Sequence, residues 1–182
     1  MTVNADIRAY RDEDAGPVGV LIAETYSACN LQFASLAQLP ALLGPFAQAH
    51  SADPVHQAAI AATIRSQWVW VAEAVGEIVG VLRGREGRLG SLFVRLDHQR
   101  QGIGRLLVDH FEGISQACGV TQIKVAATLE AIGFYERVGY KKTTGARRGH
   151  SFEGEGLMWQ PMAKRLLISL HDLRARSPEE QT

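Results

Sequence analysis

Around residue 100 the hydrophobic period of this chain changes from that of a strand to that of a helix, and two glycines stand at the change. Residues 89–94, "LGSLFV", read as a short strand. From Ile103 the apolar positions recur at helical spacing, with Ile103, Leu106, Leu107, Phe111, Ile114 and Cys118 on one face. Gly119 then closes the helix from its C′ position. Between strand and helix lies "VRLDHQRQGIGR", residues 94–105, with basic and amide side chains around Gly102 and Gly104. The first N–H groups of a helix have no partner within it, so such a turn presents donors to whatever lies in front of it.

The rest of the pattern surrounds this unit. "ADIRAY" reads as a first strand, "RDEDAG" as an acidic helix start and "GPVGVLIAETYSAC" as the helix. Residues 31–66 break at Pro40, Gly44–Pro45 and Asp53–Pro54, which predicts two or three short helices, with Asp53 as an N-cap. "WVWVAEA" and "IVGVLRGRE" form a hairpin pattern about "VGE", and the strand at 89–94 follows. After Gly119 come the strand "VTQIKVAA" and a short helix, "LEAIGFYERVG", closed by Gly139. Two last strands, "YKKTTG" and "EGLMWQPMAK", flank a loop, "ARRGHSFEGEG". Hairpins and crossovers together predict one mixed sheet with helices on both faces.

Bulk composition narrows the function. The 182 residues are 46% hydrophobic and 21% charged, which suits one domain with a sizeable core. A formal net charge of zero gives no overall basic character for nucleic acid. The start lacks a secretory h-region, and no apolar run approaches the roughly 18 residues of a membrane span. Cys29 and Cys118 suggest no disulfide framework, so a cytoplasmic location is expected. The six histidines show no metal-ligand spacing, so no metal is expected. The closing "SPEEQT" is polar and reads as a frayed end.

Three ligands compete for the glycine turn. A P-loop needs a Lys followed by Ser or Thr after its second glycine, and none follows here. A dinucleotide turn needs Gly or Ala where Leu107 stands, and an acid after the next strand. A pyrophosphate held by the N–H groups at the helix start needs neither. The plain alternative is a strand-to-helix turn that binds nothing.

Residues 89–105 resemble motif A of the GNAT-type N-acetyltransferase superfamily, in which a strand precedes a glycine turn. Gln99, Arg100, Gln101, Gly102, Ile103 and Gly104 fill that turn. Downstream, "AIGFYERVGYKK" is similar to the family's motif B, with Ala131, Phe134, Tyr135, Gly139 and Tyr140 in place. "LMWQPMAKRL" is similar to its final strand. The resemblance implies one domain over residues 1–166, with 167–182 as a C-terminal extension. It implies an α/β (α+β) fold, a mixed and mostly antiparallel sheet of about seven strands with helices on both faces, splayed between the fourth and fifth strands.

Acetyl-CoA is the implied cofactor, and acetyl transfer to the primary amine of a small molecule, by direct attack in a ternary complex, is the implied reaction. The alternatives are acetylation of a protein or peptide N-terminus or lysine, and a silent acyl-CoA-binding module. By the resemblance, N–H groups of Gln101, Gly102, Ile103, Gly104 and Arg105 cradle the pyrophosphate, with Gln99 and Arg100 opening the turn. Leu92, Phe93 and Val94 pair with the pantetheine arm like an added strand, and an N–H near Phe93 or Val94 polarises the acetyl carbonyl. Tyr135 protonates the leaving thiolate. Thr128 stands where members often carry a cofactor-contacting Asn, and Leu96 where they usually carry Pro. The strand at 89–95 has no carboxylate, which leaves Glu73, Glu77, Asp97 or a water relay as base. Tyr26, Asn30, Phe33 and Trp70 are placed at the acceptor pocket, and Arg147 or Arg148 near an acidic group of the substrate. Members are often dimers, so a homodimer is a further expectation; neither nucleic acid nor membrane is an expected partner.

Overall fold

The computed structural model describes residues 5–167, so the expected C-terminal extension lies, beyond Leu167, outside the described residues. Strand β1 (Asp6–Ala9) leads into helix α1 (Ala15–Asn30). The acidic stretch between them organises that helix start. The Asp14 carboxylate accepts the Arg11 N–H at 2.7 Å and a forked pair of bonds from the Arg8 guanidinium at 2.7 and 2.9 Å. Helix α2 (Leu39–Leu43), a 3-10 turn (Gly44–Gln48) and helix α3 (Pro54–Ile64) fill the region divided by proline and glycine. Asp53 caps α3 as expected, accepting the Val55 N–H at 2.8 Å, with Pro54 in the first turn.

Strands β2 (Trp68–Ala74), β3 (Glu77–Arg85) and β4 (Arg88–Val94) form an antiparallel meander. Helix α4 (Ile103–Ala117) crosses to β5 (Gln122–Thr128), which lies parallel to β4. Helix α5 (Ile132–Arg137) and strands β6 (Lys141–Lys142), β7 (Arg147–Ser151) and β8 (Gly154–Arg165) complete the chain. The 8-stranded sheet runs β1-β2-β3-β4-β5-β8-β6, with β7 also paired to β8. Strand alternation divides the core between its two faces. Val71 and Val81 meet Val18, Ile22, Ile60 and Ile64 of α1 and α3. Ala72, Leu82, Leu89 and Ile123 meet Ile103, Leu107, Val108 and Phe111 of α4.

Two sequence expectations are corrected. The stretch "ARRGHSFEGEG", expected as a loop, is largely a hairpin of β7 and β8 that places Ser151 opposite Gly154. Its turn carries no Asn-Gly signal. Instead Phe152 takes a left-handed φ of 51° and stacks edge-on to Phe46, with centroids 6.0 Å apart. On α4 the buried stripe is Ile103, Leu107, Val108, Phe111, Glu112 and Ser115. Leu106 and Cys118 are exposed, so the expectation that Cys118 is core does not hold. The stripe accommodates Glu112 because Lys164 of β8 donates to it at 2.6 Å, and apolar periodicity does not register a paired carboxylate.

The sheet opens between β4 and β5. These strands pair only at Arg88–Lys124 and Leu89–Val125. A bulge follows: Arg83 and Gly84 of β3 face Ser91 and Leu89, leaving Gly90 as the extra residue of β4. A bulge bends its strand and raises the local twist. Beyond it β4 leaves β5, and a V-shaped slot separates them.

Candidate active site

A cleft of about 740 Å³ occupies the slot. One wall is the free edge of β4. The Arg95 N–H donates to the Val79 carbonyl at 2.9 Å, so Arg95 faces β3. By alternation the N–H groups of Leu92 and Val94 face the slot, while Phe93 turns to its β3 partner Val81. Of Phe93 and Val94, near which the sequence reading puts a carbonyl-polarising N–H, Val94 is the one that turns its own N–H to the slot. Its own carbonyl, lost to β5 by the splay, accepts Gln99 Nε2 at 3.1 Å and the Thr25 hydroxyl at 3.5 Å. Those two side chains satisfy the strand end where the slot is widest.

The glycine turn forms the mouth. Gly102 is the N-cap of α4 with φ 92°, and Arg100 also lies in the left-handed region at φ 60°. No side chain caps α4, so its first N–H groups stand bare. A Cβ on Gly102 would meet nothing, whereas one on Gly104 would press on the Phe134 ring. Gly102 is therefore required by conformation and Gly104 by packing. Arg83, Arg100, Arg105 and Arg137 line the cleft, and Glu130 is the one carboxylate among its described lining residues. That balance favours an anionic ligand.

Tyr135 reaches the cleft from α5 and is 5% exposed. Burial pushes its phenol above the ordinary value, so it stays protonated at neutral pH. The rings of Phe134 and Tyr140 hold it edge-on at 5.2 and 5.4 Å. Across the slot the Thr128 hydroxyl accepts from Asn30 Nδ2 at 2.8 Å, which ties the end of β5 to α1.

The cleft gathers most residues chosen from sequence: Leu92, Phe93, Val94, Gln99, Arg100, Gly102, Gly104, Arg105, Thr128 and Tyr135, with Tyr26 and Asn30 on the α1 side. Others stand apart. The Gln101 amide folds back on the Asp97 carbonyl at 2.9 Å, and the Ile103 side chain is buried in the core. Phe33 is 53% exposed, beside Gly156. Trp70 stacks on His110 of α4 at 4.3 Å, on the opposite face of the sheet from Tyr26. Arg147 and Arg148 are exposed on β7 and do not line the cleft. The three carboxylates weighed as base are engaged elsewhere: Glu73 pairs with Arg8 at 2.8 Å, and Glu77 and Asp97 with Arg95 at 2.6 and 2.8 Å. Sequence reasoning missed Arg83, Ser91, Phe46, Phe152 and Trp159, which also line the cleft. Their only sequence signal was membership of a strand or turn.

A sheet splayed beside a bare helix N-terminus offers a free strand edge and unpartnered N–H donors to one cleft. Comparison gives the family. The chain matches the acetyltransferase (GNAT) domain over residues 40–166, and it belongs to that family. It is similar to the GCN5-related N-acetyltransferase (aminotransferase, class-II) of Rhodopseudomonas palustris, at 25% identity and TM-score 0.71, over 91% of this chain and 99% of that one. The PaiA N-acetyltransferase of Thermoplasma acidophilum, solved in complex with coenzyme A, shares the fold at 15% identity and TM-score 0.66, over 90% and 99% of the two chains. The peptidyl-lysine N-acetyltransferase YjaB of Salmonella typhimurium is 34% identical over 76 residues, 42% of this chain and 50% of that one. The matches span from 29% to 50% of the length of the curated relatives. No helix among the described residues is long and apolar enough to cross a membrane.

Proposed function

We propose that the chain is an acetyl-CoA-dependent N-acetyltransferase acting on the primary amine of a small molecule. The observation that carries this reading is the free edge of β4 running to the bare N-terminus of α4. Bound there, acetyl-CoA supplies an activated thioester. The N–H groups at the start of α4, with Arg100 and Arg105, hold its pyrophosphate. Leu92 and Val94 turn their N–H groups to the slot, where one bonds the pantetheine arm and the one nearest the thioester meets charge developing on the acetyl oxygen. The amine nitrogen forms the new C–N bond as the C–S bond breaks. Tyr135 gives its proton to the departing sulfur, and the proton shed by the amine leaves through cleft water, from which the phenol is restored. The phenol is protonated at neutral pH and so has a proton to give; burial, which raises its pKa, makes it a weaker acid and is not what favours the donation.

A peptide lysine is the second reading, favoured by the likeness to the peptidyl-lysine N-acetyltransferase. Thiol release from acetyl-CoA, measured with small amines and with a lysine peptide, separates the two. We expect release with small amines, and a kcat lowered about 100-fold in Tyr135→Phe with coenzyme A binding retained. Turnover confined to the peptide would favour the second reading, and undiminished turnover in the variant removes Tyr135 from the chemistry.

A further inference from the structure

We propose that Arg83 selects the acceptor by binding its carboxylate, so that the substrate is an amine of the amino-acid class. The inference rests on the acetyltransferase reading of the cleft and adds what the acceptor carries besides its nitrogen.

Arg83 stands on β3 in register with Ser91 of β4, immediately before the bulge, and both residues line the cleft. By alternation Arg83 shares the α1 face with Val81. Its Nε donates to the carbonyl of Ile64, the last residue of α3, at 2.7 Å, which fixes the guanidinium plane. Among the described residues, its two terminal nitrogens make no hydrogen bond and no carboxylate lies within ion-pair range. The contrast with Arg8 and Arg95 is sharp, since each of those holds two carboxylates. Burial lowers the Arg83 pKa with no opposing charge to offset it. A half-buried guanidinium without a counter-charge is costly to keep, and a planar carboxylate accepting from both terminal nitrogens removes that cost. The Ser91 hydroxyl supplies one more donor beside it. Tyr26 and Phe93, edge-on at 5.6 Å, wall the same side with Phe152 and Trp159 and suit the apolar body of such an amine. The cleft's one carboxylate, Glu130, belongs to the turn after β5 and makes no ion pair with Arg83.

The test sets amino acids against their carboxamides as acceptors, in wild type, Arg83→Gln and Arg83→Lys. In wild type the acids should be preferred. Arg83→Gln should raise KM for the acids about 30-fold, the carboxamides should stay within about threefold, and Arg83→Lys should recover part of the loss. Arg83 also caps α3, so a purely structural role would lower Tm and impair acids and carboxamides equally, which would overturn the inference. Calorimetric titration of N-acetylmethionine and its carboxamide, with coenzyme A present, reads the same site without turnover. Acid-selective binding lost in Arg83→Gln supports the carboxylate site even if no amine is acetylated, an outcome that would count against the enzymatic reading alone. Equal binding of acid and amide, or binding of neither, overturns the proposal.

Discussion

Gly102 and Gly104 stand one residue apart and answer to different constraints. Gly102 takes a φ of 92° with open space beside it, so Gly102→Ala strains the backbone without filling anything. We expect a stability loss of about 1 kcal/mol by denaturant unfolding and coenzyme A affinity reduced about tenfold, because the turn's N–H groups lose their direction. Gly104→Ala presses on Phe134, whose ring packs on Tyr135, so its loss should fall more on Tm than on affinity. Asp14 is the other residue with a sharp forecast. The Arg8 fork holds its carboxyl below the ordinary 3.8, with the Arg11 N–H assisting against burial. A depressed carboxylate contributes its stability above the unfolded value and loses it as pH falls through the folded one. Asp14→Asn should therefore cost about 2 kcal/mol at pH 7, and in urea unfolding curves the gap to wild type should shrink as pH falls below the ordinary 3.8 and through the depressed folded value.

At the scale of the element, the end of β4 is the part that must stay open. The Val94 carbonyl is satisfied by Gln99 and Thr25 rather than by β5. Gln99→Ala removes the shorter bond, and we expect KM for acetyl-CoA to rise about fivefold in steady-state kinetics with kcat little changed. The order of elements, apart from β7, and the caps at Asp53 and Gly119 were legible from the chain, because turn and cap chemistry is local. The buried stripe of α4 was legible only in part, because the Glu112–Lys164 pair joins residues 52 positions apart. The β7–β8 hairpin escaped notice for a similar reason. Its turn depends on Phe152 meeting Phe46, a contact that no local pattern announces.

In the whole molecule, the cleft assembles segments far apart in sequence. The residues from Gln99 to Arg105 and the helix carrying Tyr135 announced themselves, because both depend on glycine and aromatic spacing within one short stretch. Arg83 did not. Whether a strand arginine faces solvent or a cleft depends on the register with β4 and on the bulge at Gly90. Trp70 misled for the same reason, since one step of strand register decides which face a side chain joins. What joins the two halves of the site is the opening between β4 and β5, the slot in which the proposed function places coenzyme A, held by its pyrophosphate. Calorimetric titration of coenzyme A, set beside pantetheine lacking the phosphates, tests this most directly. We expect coenzyme A to bind in the micromolar range, pantetheine at least about 100-fold more weakly, and the difference to shrink as salt is raised. No heat with coenzyme A at millimolar concentration, or equal affinity for the two ligands, would contradict it.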